Sequence, residues 1–145
     1  MNRINVICLG VHDIENSSAF FKGIGFKTVE QNDHSPVVFF NNQGTKLELC
    51  PMDSLAKDIN GRNPPEISEG KFCGISLAIG MKSEKEVDDF MELVLKNGGT
   101  IIKKPGKVFW GGYNGYFRDI DGYYWEAVYS PDWKYDKNGM LVMES

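Results

Sequence analysis

The alternation of apolar and polar positions predicts one series of elements that occurs twice along the chain. Each copy reads as a strand, a helix and three further strands. In the first copy, the expected strands are residues 4–11, 26–31, 36–41 and 45–50, and the helix is 14–22. In the second, the expected strands are 71–79, 100–103, 113–118 and 124–129, and the helix follows Ser83.

Local signals support the two helices and the break between the copies. Asp13 is a predicted N-cap of the first helix, and Ser83 with Glu86 forms a capping box before the second. Residues 51–70 are polar, with one expected helical turn at 55–59, and act as a connector. The prediction is therefore one domain, 1–145, made of a first βαβββ module (4–50), the connector (51–70), a second module (71–130) and a C-terminal tail (131–145).

The last predicted hairpin holds the most informative residue, Glu126. Asp119 and Gly122 mark a turn, and the returning strand is apolar apart from this one carboxylate. An acid inside an apolar strand is costly to bury unless it faces a cavity, a metal or a partner. Glu48 has the matching place in the first copy, because each glutamate lies four residues after a turn glycine.

Composition narrows the classes of function. The chain has 145 residues and a net charge of −4, so the basic surface that tracks nucleic acid is not expected. Its apolar runs are too short to span a membrane, and no secretory segment is recognised at its start. The three cysteines do not have the spacing of a metal site, and this favours reduced thiols. We therefore expect a cytoplasmic protein with no nucleic-acid or membrane partner.

Residues 112–126, together with Leu9, Gly10, Val11, His12 and Asp13, resemble the vicinal oxygen chelate superfamily, which includes glyoxalase I, bleomycin-resistance proteins and extradiol dioxygenases. The resemblance implies an α+β fold in which two tandem βαβββ modules form a half-open mixed β-barrel. It also implies a concave site in the cleft between the modules, and a homodimer.

The metal enzymes of this superfamily have ligands at four positions. By the same resemblance, these positions correspond to Val6, Glu48, Gly74 and Glu126. Both acids are present, but valine and glycine offer no side-chain donor. The two histidines, His12 and His34, lie at other positions. We therefore expect no metal cofactor; the alternative is a weakly bound divalent ion.

Strand alternation predicts which side chains line the site. Residues that share a face with the glutamates, together with nearby aromatic residues, form the candidate set. The expected substrate-binding residues are Val6, Cys8, Glu48, Gly74, Ser76, Trp110, Tyr113, Tyr116, Tyr124 and Glu126. Lys46, Cys50, Ala78 and Val128 share these faces.

Each feature also has a purely structural explanation. Glu48 and Glu126 would then be hydrogen-bonded to backbone or to Lys46, and the aromatic residues would belong to the core or an interface. Cys8 and Cys50 are expected to serve as small apolar residues. Asp119 to Gly122 starts like a calcium loop but lacks its later ligands, which favours a turn.

Two functions follow from different classes. The first is a metal-independent binding protein for a small organic molecule, cationic or aromatic. The alternative is a glyoxalase-type lyase in which Glu126 is the catalytic general base. A third, weaker interpretation is a dimerisation or effector module.

Overall fold

The computed structural model describes residues 1–29 and 35–144. It confirms the α+β class and separates into two compact units, 1–71 and 72–145. The predicted turn around His34 lies outside the described residues.

The first unit is a small sheet with two helices. Its central strand β3 is parallel to β1 and antiparallel to β2. Leu47 and Leu49 of the central strand are buried together with Phe21 and Phe40. The elements are β1 Val6–Val11, α1 Ile14–Gly23, β2 Val38–Phe40, β3 Lys46–Pro51 and α2 Met52–Ile59.

The second unit is a four-stranded sheet covered on one face by a helix, with a short hairpin after it. The strand order is β4-β7-β6-β5, with only the β4–β7 pair parallel. The helix buries Val87, Met91 and Val94. The elements are β4 Ser76–Met81, α3 Glu84–Lys96, β5 Thr100–Lys107, β6 Tyr113–Arg118, β7 Tyr124–Tyr129, β8 Lys134–Tyr135 and β9 Leu141–Val142.

Both helix starts follow the predicted capping chemistry. The Asp13 carboxylate accepts from the Asn16 N–H at 2.9 Å, and the Ser83 hydroxyl accepts from the Glu86 N–H at 3.1 Å. The Glu86 carboxylate accepts from the Lys82 N–H, one residue before the position that a capping box would use.

Several predicted elements differ from those in the structure. Of the strand expected at 26–31, the described part forms only an isolated bridge between Thr28 and Phe40. The helical turn expected at 55–59 is a complete helix, α2, which starts immediately after β3. Strand β4 begins at Ser76 instead of residue 71, because Gly74 has φ +81° and interrupts extended backbone.

Asp119 fixes the turn between β6 and β7. Its Oδ1 accepts from the N–H groups of Asp121 and Tyr123, both at 3.0 Å, and its Oδ2 accepts from Trp125 Nε1 at 2.9 Å. Gly122 has φ +91°, as the turn prediction requires. Asp119 is 4% exposed. Burial raises the pKa of its carboxyl to about 6, although its three hydrogen-bond donors act to lower it.

This raised pKa predicts a pH dependence of stability. Between pH 3.8 and about 6 the folded protein holds a proton on Asp119 that the unfolded chain has lost. The contribution of the Asp119 carboxyl to the free energy of unfolding is therefore complete below pH 3.8 and is lost as the pH rises through about 6. The free energy of unfolding, measured relative to Asp119→Asn, should fall by about 3 kcal/mol across this window.

An independent readout is the NMR resonance of the Trp125 indole N–H, which should titrate with a midpoint near the carboxyl's pKa. An indole shift that does not change with pH, or equal pH slopes for the two proteins, would contradict this account.

Gly115 allows helix α3 and strand β5 to approach β6 closely. A Cβ there would lie 2.9 Å from Met91 Cε, 3.0 Å from the Lys103 carbonyl oxygen and 3.2 Å from the Pro105 nitrogen. Because two of these neighbours are backbone atoms, they cannot move aside easily.

We predict that Gly115→Ala lowers the free energy of unfolding by about 1–3 kcal/mol through overpacking. Gly106→Ala is the matched control, since it lies in the paired strand and a Cβ there has no neighbour within 4 Å. Its free energy of unfolding should change by less than about 1 kcal/mol. Chemical denaturation measures both, and equal effects would rule out the packing explanation.

Candidate functional site

The two larger sheets, one in each unit, each have one face that carries a glutamate. We call this face the open face of the unit. In the second unit, Met91 of α3 packs at Gly115, so the helix covers the face of Phe117 and Trp125. Glu126 alternates with these residues and lies on the opposite face. In the first unit, Glu48 alternates with the buried Leu47 and Leu49. We describe the two faces separately.

On the open face of the second unit, side chains hold the Glu126 carboxylate. Asn114 Nδ2 donates to Glu126 Oε1 at 2.7 Å, and Asn114 Oδ1 accepts from Lys103 Nζ at 2.5 Å. Tyr116 is the register partner of Glu126, so its side chain shares this face with the carboxylate. The amide of Asn114, only 4% exposed, therefore links an ammonium group to the carboxylate.

Aromatic rings surround this carboxylate. Burial raises the pKa of the Tyr116 hydroxyl, and the charge of Glu126 raises it further. Tyr124 shares the face, and the ring of Phe72 meets it edge-to-face at 5.1 Å. Phe72 is 64% exposed, so its ring is available for a further contact. The result is an anchored negative charge beside three aromatic side chains.

Positive charge is also present on this face. Arg118 pairs with Tyr124, two residues along β6 from Tyr116. Its Nε is buried and has no hydrogen-bond partner among the described residues. Arg118 therefore shares the open face with Glu126.

The open face of the first unit carries thiols next to its glutamate. Cys8 is the register partner of Glu48, and Cys50 lies two residues further along β3 on the same face. Burial raises the pKa of the Cys8 thiol to about 12, with further contributions from the charge of Glu48 and from Cys50. Burial likewise raises the pKa of the Cys50 thiol, and Glu48 and Asp58 add to this effect. Both thiols are therefore protonated, weak nucleophiles at neutral pH.

Strand register relates the two faces residue by residue. Cys8 faces Glu48, and Ala78 faces Glu126 in the same arrangement. The equivalent of Val6 in β4 is then Ser76, which pairs with Tyr124 as Val6 pairs with Lys46. Gly74, the position that the resemblance gave as a ligand point, lies before this strand and is not the register equivalent of Val6.

Most of the other candidate residues fall in two groups. Val6, Cys8, Glu48 and Lys46 share the first open face, and Ser76, Ala78, Tyr116, Tyr124, Glu126 and Val128 share the second.

Two expected substrate-binding residues lie elsewhere. Tyr113 lies on the helix-covered face, where its hydroxyl donates to Asp88 at 2.7 Å. Trp110 is 42% exposed in the turn before β6, with its ring against Gly112. The structure therefore does not bring these two residues together with Glu126 on one face.

Sequence reasoning missed three contributors to this face: Asn114, Lys103 and Phe72. Asn114 is recognisable in retrospect, because it alternates with Tyr116 and is the polar exception in an aromatic strand. Lys103 is harder to place, because β5 shifts register between Ile101 and Lys103. Phe72 precedes its strand, where alternation makes no prediction.

The donor chemistry does not match a family-type metal chelate. Within the described residues, no three His, Cys, Asp or Glu side chains are grouped as a metal site. His12 Nδ1 instead lies 3.7 Å from Glu69 Oε1 on the surface. In the second unit, the neighbours of Glu126 are an amide, a phenol and Ala78, which supply none of the imidazole or thiolate that Zn, Ni or Fe prefers. Of the described helices, none has the length and apolar composition of a membrane span.

The fold agrees with the comparisons. Residues 3–127 match the model of the Glyoxalase/Bleomycin resistance protein/Dioxygenase superfamily, and the chain belongs to that superfamily. No curated protein is significantly similar to it.

Solved structures of the superfamily resemble it over nearly its whole length. A glyoxalase-related enzyme from Fulvimarina pelagi is 27% identical, with 100% of both chains covered and a TM-score of 0.87. A family enzyme from Burkholderia phytofirmans is 16% identical, with 88% of this chain and 98% of that chain covered and a TM-score of 0.75. A family protein from Nocardioides is 22% identical, covers 91% and 85%, and has a TM-score of 0.72. The last two show the fold alone.

Asn114 is the residue whose loss should disturb the second open face most. We predict that Asn114→Ala lowers the free energy of unfolding by about 1–3 kcal/mol, because both the Lys103 ammonium and the Glu126 carboxylate lose a partner. Tyr116→Phe keeps the ring and both Asn114 hydrogen bonds, and should change the free energy of unfolding by less than about 0.5 kcal/mol.

A double-mutant cycle with Asn114→Ala and Glu126→Ala measures the coupling, which we expect to be about 1 kcal/mol. Strictly additive effects would mean that the amide does not hold the carboxylate.

Proposed function

We propose that this protein binds a small aromatic molecule carrying a basic nitrogen, on the open face of the second sheet around Glu126. The observation that carries the proposal is the carboxylate itself: Asn114 holds it on a face that it shares with aromatic side chains, instead of leaving it to move in solvent. A charge that is already positioned loses little further freedom when a cation binds, which favours recognition.

The aromatic side chains supply the second part of the recognition. Tyr116, Tyr124 and Phe72 offer ring faces and edges to a planar ligand. Aromatic faces beside a carboxylate attract cations through the ring quadrupole as well as through charge. On this proposal recognition at Glu126 needs no metal ion, since shape, aromatic contact and one anchored charge provide it.

A matched series of small probes tests the preferred charge. Phenethylamine, 2-phenylethanol and 3-phenylpropionate present the same ring with a cationic, neutral or anionic end. We predict that only the amine raises the melting temperature clearly, by about 2–5 °C when its concentration is about ten times its Kd.

Glu126→Gln should abolish this rise, while Glu92→Gln, on the exposed surface of α3, should keep it. Stabilisation by 3-phenylpropionate alone would mean that the charged group that binds the ligand is Arg118 and not Glu126, and it would overturn the proposal. Equal stabilisation by all three probes would mean that the protein recognises only the aromatic ring, and this result would also overturn the proposal.

A second candidate function is a glyoxalase-type lyase with Glu126 as general base. The similarity to the glyoxalase-related enzyme from Fulvimarina pelagi favours it. Conversion of a hemithioacetal that is lost in Glu126→Gln, together with stoichiometric divalent metal in elemental analysis, would establish the lyase. Absence of conversion, together with amine binding, supports the binding protein. A homodimer and a cytoplasmic location stay predictions.

A further inference from the structure

The open face of the first unit brings three sulfur atoms to one corner of the sheet. Cys8 and Cys50 stand on the same face of the parallel strands β1 and β3, and Gly10 is the register partner of Cys50. The Met52 Sδ lies over Gly10, only 2.6 Å from where a Cβ would stand. Gly10 follows Cys8 by two residues, so a side chain at Gly10 would point to the face that carries both thiols. The Met52 thioether occupies this side-chain position, next to both thiols.

The sequence arranges this corner through two local features. Helix α2 begins immediately after β3, so Met52 turns back over the strand pair. Gly10 carries no side chain, and any larger residue would displace the sulfur. Both thiols are free and half-buried, which leaves them accessible to a small ion.

Carboxylates flank this corner. Glu48 is the register partner of Cys8, and both Glu48 and Asp58 act on Cys50. A monovalent ion held by two thiolates leaves one net negative charge, so the sulfur donors, and not these carboxylates, supply the affinity. Lys46, on the same face, donates to the Asn42 carbonyl oxygen.

We propose that Cys8, Cys50 and Met52 form a binding site for a soft monovalent metal ion of the Cu(I) type. Thiolate and thioether sulfurs are the donors that select Cu(I), whereas structural zinc requires four ligands with thiolate, imidazole or carboxylate character. On binding, the ion forms two metal–thiolate bonds and displaces one proton from each thiol, while the thioether adds a neutral donor. No electron is transferred, and the ion enters already in the reduced state.

The site is distinct in chemistry and in residues from the Glu126 face. It uses no residue of the second unit, so its success or failure leaves the proposed ligand binding unaffected.

The test is an anaerobic titration of the whole chain with Cu(I) against a chromogenic Cu(I) chelator. We predict one ion per chain, charge-transfer absorption of the copper–thiolate bond, and release of two protons. Cys8→Ser and Cys50→Ser should each lose this binding. Met52→Leu, which keeps both thiols, should weaken it by about tenfold or more.

Two matched variants serve as controls. Cys73→Ser removes the exposed thiol of the second unit, and Met143→Leu removes an exposed methionine, so both should bind like the unmodified protein. Thermal unfolding checks that each serine variant is folded. Retained binding in the Cys8→Ser, Cys50→Ser double variant, dependence on Cys73, or equal affinity of Met52→Leu and the unmodified chain would overturn the proposal.

Discussion

The register between β6 and β7 is the constraint on which the second unit depends. Asp119 sets it, because one carboxylate accepts from two turn N–H groups and from the indole of Trp125 in the following strand. With this register, Trp125 enters the core and Glu126 lies opposite Tyr116. A slip of one residue would exchange the two faces, burying the carboxylate under α3 and exposing the tryptophan. The turn therefore decides where the candidate site can exist.

The two units use one backbone arrangement for different chemistry. Each has a parallel strand pair in which a glutamate faces the middle of the neighbouring strand, Cys8 in one case and Ala78 in the other. At the end of each pair a glycine accepts a covering side chain, Met52 over Gly10 and Tyr135 over Gly80. The same framework thus presents sulfur in the first unit, and an anchored carboxylate with aromatic rings in the second.

The family resemblance implied the fold class. Sequence periodicity and local signals predicted both main helices, their caps, and the side chains that share a face with Glu48 and with Glu126. These features depend on local spacing, which strand alternation and helical periodicity report directly. The Lys103–Asn114–Glu126 chain depends instead on pairing between β5 and β6 and on a register shift, which spacing within one strand does not contain. Gly74 was misplaced for a related reason: its positive φ ends the strand that hydropathy alone would extend.

The most direct measurement of the central claim is an NMR titration that follows the side-chain amide of Asn114. Its Nδ2 group donates to Glu126, so it reports any change at that carboxylate. With phenethylamine, we expect saturable shifts of this amide and of the backbone amides of Ala78 and Tyr116, and none around Asp88 on α3. Shifts confined to the helix side, or an Asn114 amide that does not respond while the amine binds, would contradict it.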